Sequence, residues 1–183
     1  MVNKIKDSTI LVTGGAGFIG SYVIEELIPL QPKKIIIIDN LIRGSHANMR
    51  SFAKNPVVEF HEADLRNLDL LEKCIAGTDY VFHMAALRIN SCAANPAEGF
   101  EVMLKSTFDV ATLCVKHKVK KVIYSSSASV YGLAQHFPTP ETDNPYNNQT
   151  FYGAAKMWGE QLFRSFKFMY GLDYEALRYF NAY

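Results

Sequence analysis

Short apolar runs alternate along the chain with longer stretches in which apolar residues recur at helical spacing. The segment Lys34–Asp39 contains four consecutive isoleucines, so a strand here presents apolar side chains on both faces. Such a strand is typical of the interior of a parallel sheet that is covered on both sides. The pattern predicts six strands, at Ser8–Thr13, Lys34–Asp39, Val57–His61, Tyr80–Met84, Lys121–Ser126 and Tyr174–Tyr179. It predicts helices at Phe18–Leu30, Asn67–Ile75, Pro96–His117 and Thr150–Tyr170.

The order of these elements predicts the fold class. Repeated strand–helix–strand units indicate parallel strands joined by right-handed crossovers. We therefore expect an α/β fold, a doubly wound parallel sheet of about six strands with helices on both faces. Two connections, Asn40–Pro56 and Tyr131–Gln149, are too long for tight turns. Long loops in a compact domain tend to be functional or mobile.

Composition limits the classes of partner. The 183 residues include 19 Lys+Arg and 18 Asp+Glu, which gives a net charge of +1. This balance provides no general electrostatic reason to bind nucleic acid or an anionic membrane, so we expect neither partner. No apolar run reaches the about 18 residues that suggest a membrane span, and the N-terminus has no signal-peptide core. We therefore expect a cytoplasmic protein.

Three cysteines, Cys74, Cys92 and Cys114, form an odd set without metal-ligand spacing. We expect three reduced thiols and no metal site, with Cys114 in the core. A nucleophilic cysteine stays open as an alternative, although no His or Asn partner follows from the spacing.

A glycine-rich segment follows the first predicted strand and opens the first helix. Gly14, Gly17 and Gly20 have the spacing G-x-x-G-x-x-G, with Phe18 and Ile19 at the start of the helix. Glycines permit the tight turn and a close approach of the backbone to a pyrophosphate, and the helix N-terminus supplies free N–H groups. The strand–turn–helix context favours a dinucleotide site over an ordinary glycine-rich turn.

Two acidic positions follow the next predicted strands. Asp39 ends the second strand, where its carboxylate can accept hydrogen bonds from ribose hydroxyls and would repel a 2′-phosphate, which favours NAD over NADP. Arg43 lies nearby and could weaken that preference. Asp64 could bond the adenine, with Leu65 against the ring. Alternatively, Asp39 is a strand-end turn residue and Asp64 caps a helix that begins near Leu65.

Tyr152 and Lys156 are four residues apart on a predicted helix, which places them on one face. A nearby ammonium favours the phenolate, and an oxidised nicotinamide acts in the same direction, so Tyr152 could serve as a general base. Lys156 could also hold the nicotinamide ribose. Ser125, Ser126 and Ser127 end the fifth predicted strand and bring hydroxyls to the same edge of the sheet. Taken separately, the Tyr/Lys pair could be a surface pair and the serines a solvated loop.

Together these residues resemble the extended short-chain dehydrogenase/reductase family, specifically its nucleotide-sugar epimerases and dehydratases. The resemblance covers essentially the whole chain, and the matching motifs are Gly14–Gly20, Asp39-Asn40, Asp64-Leu65, His83–Ala86, Ser125–Gly132, Tyr152/Lys156 and Leu177–Asn181.

The resemblance implies a Rossmann domain over residues 1–183 that binds NAD, with a nucleotide-sugar substrate, most naturally a UDP-sugar. It implies that Tyr152 is the acid/base, Lys156 its partner, and Ser127 the hydroxyl beside the sugar. By the same resemblance, Asn40, Ala85, Ala86 and Ser125 lie at the cofactor, and Arg88 and Asn181 approach the substrate.

This sequence also departs from the family pattern. Met103 stands where the family commonly has Asn, and Lys105-Ser106 replaces an apolar–glycine pair, so helix packing there should differ. The C-terminal substrate domain of the family is absent from the chain, which looks like a truncated NAD-binding part. The resemblance also implies a homodimer formed by the helices at Pro96–His117 and Thr150–Tyr170, with a monomer as the alternative.

Among the reactions of the family, 4-epimerisation by transient oxidation at the sugar C4 is favoured. The dehydratases carry Thr-Asp-Glu before Val-Tyr-Gly, whereas Ser127, Ala128 and Ser129 stand here. Hydroxyl and methyl groups cannot replace those carboxyls in an elimination. Other nucleotide-sugar oxidoreductases or dehydratases stay open, as does a catalytically silent NAD-binding module.

Overall fold

The computed structural model describes residues 4–143 and 147–182. In this part of the chain, six parallel strands form one sheet in the order β3-β2-β1-β4-β5-β6. The strands are β1 (Thr9–Thr13), β2 (Lys34–Asp39), β3 (Val58–Glu62), β4 (Tyr80–His83), β5 (Lys121–Ser127) and β6 (Tyr174–Tyr179). The order reverses between β1 and β4, and ligands of doubly wound sheets bind at this switch point. The predicted fold class is confirmed.

The isoleucine run of β2 is buried from both sides, as its pattern predicts. Ile35 and Ile37 pack in a cluster with Ile24 of the first helix. Ile36 and Ile38 point to the opposite face, into a larger cluster that includes Phe163. Successive strand side chains alternate between faces, so this one strand anchors both helical layers.

The helices are α1 (Phe18–Leu27), α2 (Leu68–Ile75), α3 (Ile89–Ala94), α4 (Pro96–Gly99), α5 (Ser106–Lys116) and α6 (Phe151–Tyr170). Helix α6 is defined at both ends by its sequence. The Thr150 hydroxyl accepts a hydrogen bond from the Gly153 N–H at 3.1 Å, and Gly171 adopts a φ of 75° beyond the last turn. These caps fix where the chain enters and leaves the helix that carries Tyr152 and Lys156.

The predicted helix at Pro96–His117 is helical from Pro96 to Lys116, but it is not a uniform α-helix. A π-helical segment, Phe100–Lys105, separates α4 from α5. The Ser106 hydroxyl donates to the Glu101 carbonyl five residues earlier at 3.0 Å, which matches the wider turn. The predicted helix at Phe18–Leu30 is likewise shorter, because Pro29 falls in a 3₁₀ turn at Ile28–Leu30 that follows α1.

The three cysteines are free and buried. Cys114 is fully buried in the larger core cluster, and burial raises the pKa of its thiol, so its predicted core position is confirmed. Over the described residues, none of the helices has the length and apolar composition required to cross a bilayer. The same residues contain no cluster of three or more His, Cys, Asp or Glu side chains suited to a metal ion.

Candidate functional site

The glycine segment forms a backbone-lined turn between β1 and α1. Gly14 adopts a φ of 72°, and its N–H donates to the Ile38 carbonyl at 2.8 Å. Gly17 is the N-cap of α1 in extended conformation, and a Cβ added to it would lie 3.1 Å from the Gly14 carbonyl oxygen. The first turn of α1 contains no acidic residue. The free N–H groups of this helix start can therefore face an anion without a competing carboxylate.

A cleft opens at the carboxyl ends of β1, β2 and β4. Eight of the predicted cofactor residues line it together: Gly14, Gly17, Asp39, Asn40, Asp64, Leu65, Ala85 and Ala86. Its wall is mainly apolar, with a few polar groups, which is the usual character of a small-molecule site. Phe18, Ile19 and Gly20 lie in the first turn of α1 outside this lining, and Phe18 is half-exposed.

Asp39 ties the end of β2 to the glycine turn. One carboxylate oxygen accepts the Ala16 N–H at 3.0 Å, and the other accepts the Leu41 N–H at 2.9 Å. The second bond is the strand-end turn that we considered as an alternative. An ionised carboxylate has about four acceptor positions, so Asp39 keeps capacity for a ribose hydroxyl in the cleft.

Asp64 is held by an arginine that the sequence analysis did not single out. Arg66 donates to both carboxylate oxygens, at 2.9 Å and 2.7 Å. These hydrogen bonds are the main reason that the pKa of Asp64 falls to about 2. The alternative role of Asp64 as a helix cap is wrong, because Asn67 caps α2 by accepting the Leu70 N–H. Asp64 thus reaches the cleft as one half of an ion pair.

Tyr152 and Lys156 lie on one face of α6. The Lys156 ammonium is 5.9 Å from the centre of the Tyr152 ring and donates to the Ser125 carbonyl at 2.6 Å. Lys156 is only 2% exposed, and its burial lowers the pKa of the amine to about 8. Burying an ammonium costs free energy, and a strongly lowered lysine pKa marks a candidate functional residue.

The pKa of Tyr152 is raised, whereas the sequence analysis expected a nearby ammonium to favour the phenolate. Burial raises the pKa of the phenol, and a hydrogen bond with Ser127 opposes this effect without overcoming it. The Lys156 ammonium meanwhile donates its hydrogen bond to the Ser125 carbonyl. In this structure Tyr152 is therefore a neutral phenol at pH 7.

Ser127 is placed at the end of β5 by its own turn. Its hydroxyl oxygen accepts the Ser129 N–H at 3.1 Å and caps the 3₁₀ turn Ala128–Tyr131. The structure thus brings Ser125, Ser127, Tyr152 and Lys156 together at the end of β5. These four residues lie outside the lining of the cleft, and Tyr152 packs in one cluster with Ala86, which lines it.

A buried polar group that the sequence analysis did not identify supports this end of β5. Ser126 donates to Glu160 at 2.5 Å, and Arg178 of β6 donates to both oxygens of Glu160 at 2.9 Å and 2.8 Å. Glu160 lies one turn after Lys156 on the same face of α6. The four-residue spacing from Lys156 could have identified Glu160 in the sequence. That Arg178 contacts Glu160 follows only from the order of the strands in the sheet.

Like Ser127, the other two of the three predicted substrate residues, Arg88 and Asn181, lie outside the lining of the cleft. Arg88 is exposed at the start of α3, and Asn181 is exposed two residues after β6.

Met103 packs with Cys92, Ala155 and Tyr152, and its sulfur accepts the Leu87 N–H at 3.2 Å. The Asn-to-Met departure thus places an apolar side chain behind the Tyr152 ring.

Comparison with known proteins agrees with this architecture. Residues 10–183 match the model of the NAD dependent epimerase/dehydratase family. A putative UDP-glucose 4-epimerase of Methanocaldococcus jannaschii is 36% identical over 177 residues, which are 95% of this chain and 56% of that protein. The UDP-glucose 4-epimerase of Halalkalibacterium halodurans is also 36% identical, over 94% of this chain and 50% of that protein. The chain thus spans about half the length of the curated relatives that it matches.

Solved structures give the same result. A UDP-N-acetylglucosamine 4-epimerase from Methanobrevibacter ruminantium, in complex with UDP-N-acetylmuramic acid, superposes with a TM-score of 0.91 at 38% identity, covering 97% of this chain and 56% of that one. A UDP-glucose 4-epimerase from Brucella ovis, in complex with NAD, gives 0.85 at 29% identity, covering 95% and 52%. The parallel sheet, the glycine turn and the match over nearly all of its residues show that this chain belongs to the NAD-dependent epimerase/dehydratase family.

Proposed function

We propose that this chain binds NAD in the cleft and forms the cofactor-binding and acid/base part of a nucleotide-sugar 4-epimerase that acts on a UDP-sugar. The observation that carries the proposal is the pairing of two features in one chain. A backbone-lined glycine turn faces the cleft, and helix α6 carries a buried Lys156 and a half-buried Tyr152 that packs in one cluster with the cleft residue Ala86.

The cleft residues fit NAD. A side chain at Gly17 would reach the Gly14 carbonyl, so this surface stays bare only with glycine, and a pyrophosphate can approach the N–H groups of α1. Asp39 would accept from the adenosine ribose, and Leu65 would pack against the adenine with Asp64 at its edge. Lys156 would donate to the nicotinamide ribose.

When bound, NAD supplies reversible hydride acceptance at the sugar C4. Tyr152 would take the proton of the C4 hydroxyl as the C4 hydride leaves, and it would give that proton back to the C4 oxygen once the sugar has turned and the hydride has been returned to the opposite face of C4. Ser127 hydrogen-bonds to Tyr152 and lowers the cost of its ionisation. Lys156 adds a positive charge behind the ring, because a pKa of about 8 leaves it mostly protonated at pH 7.

The turn at the end of β5 disfavours dehydration. Elimination needs a base for the C5 proton and an acid for the departing hydroxyl, and this turn offers Ser127, Ala128 and Ser129 instead of carboxyl groups. A module that binds NAD without turnover is the second candidate, since the relatives are about twice as long as this chain. The dimer formed by the helices at Pro96–His117 and Thr150–Tyr170 stays a prediction.

Tyr152→Phe tests the acid/base assignment. The variant keeps the ring and its packing but cannot exchange a proton. In a protein of the relatives' full length that contains this chain, 4-epimerase turnover of UDP-glucose should therefore fall about 10²–10⁴-fold while NAD binding persists. Tyr170→Phe is the matched control, because Tyr170 ends the same helix and is 54% exposed. Near-normal turnover by Tyr152→Phe would refute the role of Tyr152. NAD binding by wild type without turnover of any UDP-sugar would leave the module.

A further inference from the structure

His83 is a buried titratable residue that the proposed chemistry does not use. It ends β4, is 1% exposed and stacks on Tyr124 with ring centres 5.9 Å apart. Burial, and secondly the charge of Lys156, lower the pKa of its imidazole to about 3. The ring is therefore neutral at pH 7, with one nitrogen that donates a hydrogen bond and one that accepts.

The neighbours of the ring determine which nitrogen carries the proton. His83 Nε2 lies 3.0 Å from the Thr107 hydroxyl, which itself donates to the Met103 carbonyl at 2.7 Å. Thr107 has one proton, so it must accept from Nε2–H. On the other side, Nδ1 lies 2.8 Å from the Thr13 hydroxyl. The oxygen of that hydroxyl accepts the N–H groups of Met84 and Ala85, each at 3.2 Å, so its proton is directed to Nδ1.

We propose that His83 is a positioning residue. As the Nε2–H tautomer, it links the wall of the cofactor cleft to the π-helical segment that packs against Tyr152, through hydrogen bonds that all run in one direction. This series of hydrogen bonds runs from Thr13 through His83 and Thr107 to Met103. The part that concerns the cofactor rests on the proposed NAD binding.

At its cleft end, the series of hydrogen bonds lies at a close contact between the glycine turn and the Ala85 backbone. A Cβ on Gly14 would lie 2.7 Å from the Ala85 nitrogen, so the glycine turn and the Ala85 backbone touch. The Thr13 hydroxyl keeps its lone pairs on the Met84 and Ala85 N–H groups because its proton is given to His83. The hydroxyl thus adds to the backbone hydrogen bond from the Met84 N–H to the Thr13 carbonyl at 3.1 Å, and among the described residues it alone holds the Ala85 N–H, between two walls that both line the cleft.

The other end of the series of hydrogen bonds lies near helix α6, which carries Tyr152. Met103 receives the Thr107 hydrogen bond on its carbonyl, and its sulfur accepts the Leu87 N–H next to Ala86. Met103 also packs in the cluster that contains Tyr152. A change of the His83 tautomer would therefore disturb both the cleft wall and the packing behind Tyr152.

Thr107→Val tests this series of hydrogen bonds while leaving His83 in place. Without its acceptor, we expect the ring proton to move to Nδ1 and to donate to Thr13, which weakens the hold on the Ala85 N–H. Thr78→Val is the matched control, since Thr78 is also buried and its hydroxyl donates to the carbonyl four residues earlier, of Cys74, at 2.8 Å. Long-range ¹H–¹⁵N spectra of the imidazoles report the tautomer, and His83→Gln identifies the His83 signals among the five histidines.

In wild type we expect protonated Nε2 and bare Nδ1. Thr107→Val should shift this tautomer, speed amide hydrogen exchange at Ala85 and weaken NAD binding about tenfold, while Thr78→Val changes none of these. A wild-type ring protonated at Nδ1, or unchanged tautomer and Ala85 exchange in folded Thr107→Val, would overturn the inference. Failure of wild type to bind NAD would reject the proposed function, and the tautomer and exchange data would still decide the role of His83.

Discussion

Replacing the buried Lys156 should stabilise the chain at neutral pH. The amine is 2% exposed, and its pKa in the fold is about 8, below the ordinary value of 10.5. Between these two values the unfolded chain binds more protons than the folded one, so this group makes stability rise with pH from about 8 to 10.5. Below pH 8 its full cost is present, about 3 kcal/mol at about 1.4 kcal/mol per pKa unit.

Lys156→Met removes the charge and keeps a flexible chain of similar length. The hydrogen bond to Ser125 is lost with it, which costs about 1 kcal/mol, so the variant should gain about 2 kcal/mol at pH 7. Urea unfolding at pH 7 and at pH 10 measures the free energies, and the gain should disappear at the higher pH. Comparing variant with wild type cancels the contributions of the buried thiols and phenols that titrate in the same range.

Lys167→Met is the control on the same helix. Lys167 is half-exposed and pairs with Asp173 at 2.9 Å, so its replacement should give no gain and little pH dependence. If Lys156→Met is less stable than wild type at pH 7, or if its gain is the same at both pH values, the argument from burial is wrong. A gain in stability together with weaker NAD binding would show that the lysine is retained for function at the expense of stability.

Two further substitutions test the cleft and its support. Asp39→Ala should weaken NAD binding and relax discrimination against NADP, and competition binding that shows unchanged selectivity would reject the ribose assignment. Glu160→Gln should lower the melting temperature because Arg178 loses its charged partner in a site where Glu160 is 8% exposed. Replacing Arg178 by Met in the same variant should recover part of that loss, whereas additive losses would show that the pair is not coupled.

The sheet was predictable from the sequence because its signals are local. The isoleucines of β2 require burial on both faces, and the glycine spacing places the turn before α1. Strands Lys34–Asp39 and Tyr174–Tyr179 have the predicted bounds. The π-helical segment at Phe100–Lys105 was not predictable from periodicity, since one wide turn barely changes the apolar pattern. The hydroxyl of Ser106 marks it only when the backbone is known.

The candidate site was predictable as a set of residues but not as a set of interactions. Spacing along a helix placed Tyr152 and Lys156 on one face, and strand ends placed Asp39 and Asp64 at the cleft. The direction of the Tyr152 pKa follows mainly from burial of the phenol, which spacing along the helix does not encode. The Arg66 pair and the links from His83 also depend on contacts between elements.

Calorimetric titration of this chain with NAD is the most direct test of the central claim. We expect binding at one site, and we expect Gly17→Val to remove most of it. Valine suits the extended backbone of Gly17, with φ −73° and ψ 171°, so circular dichroism should show a folded chain. The melting temperature should fall modestly, because valine is a weaker helix N-cap than glycine and its Cβ would lie 3.1 Å from the Gly14 carbonyl oxygen. The valine side chain would occupy the cleft beside the Gly14 carbonyl, where the pyrophosphate should lie. A folded wild-type chain that does not bind NAD, or a folded Gly17→Val variant that binds NAD with unchanged affinity, would contradict the account.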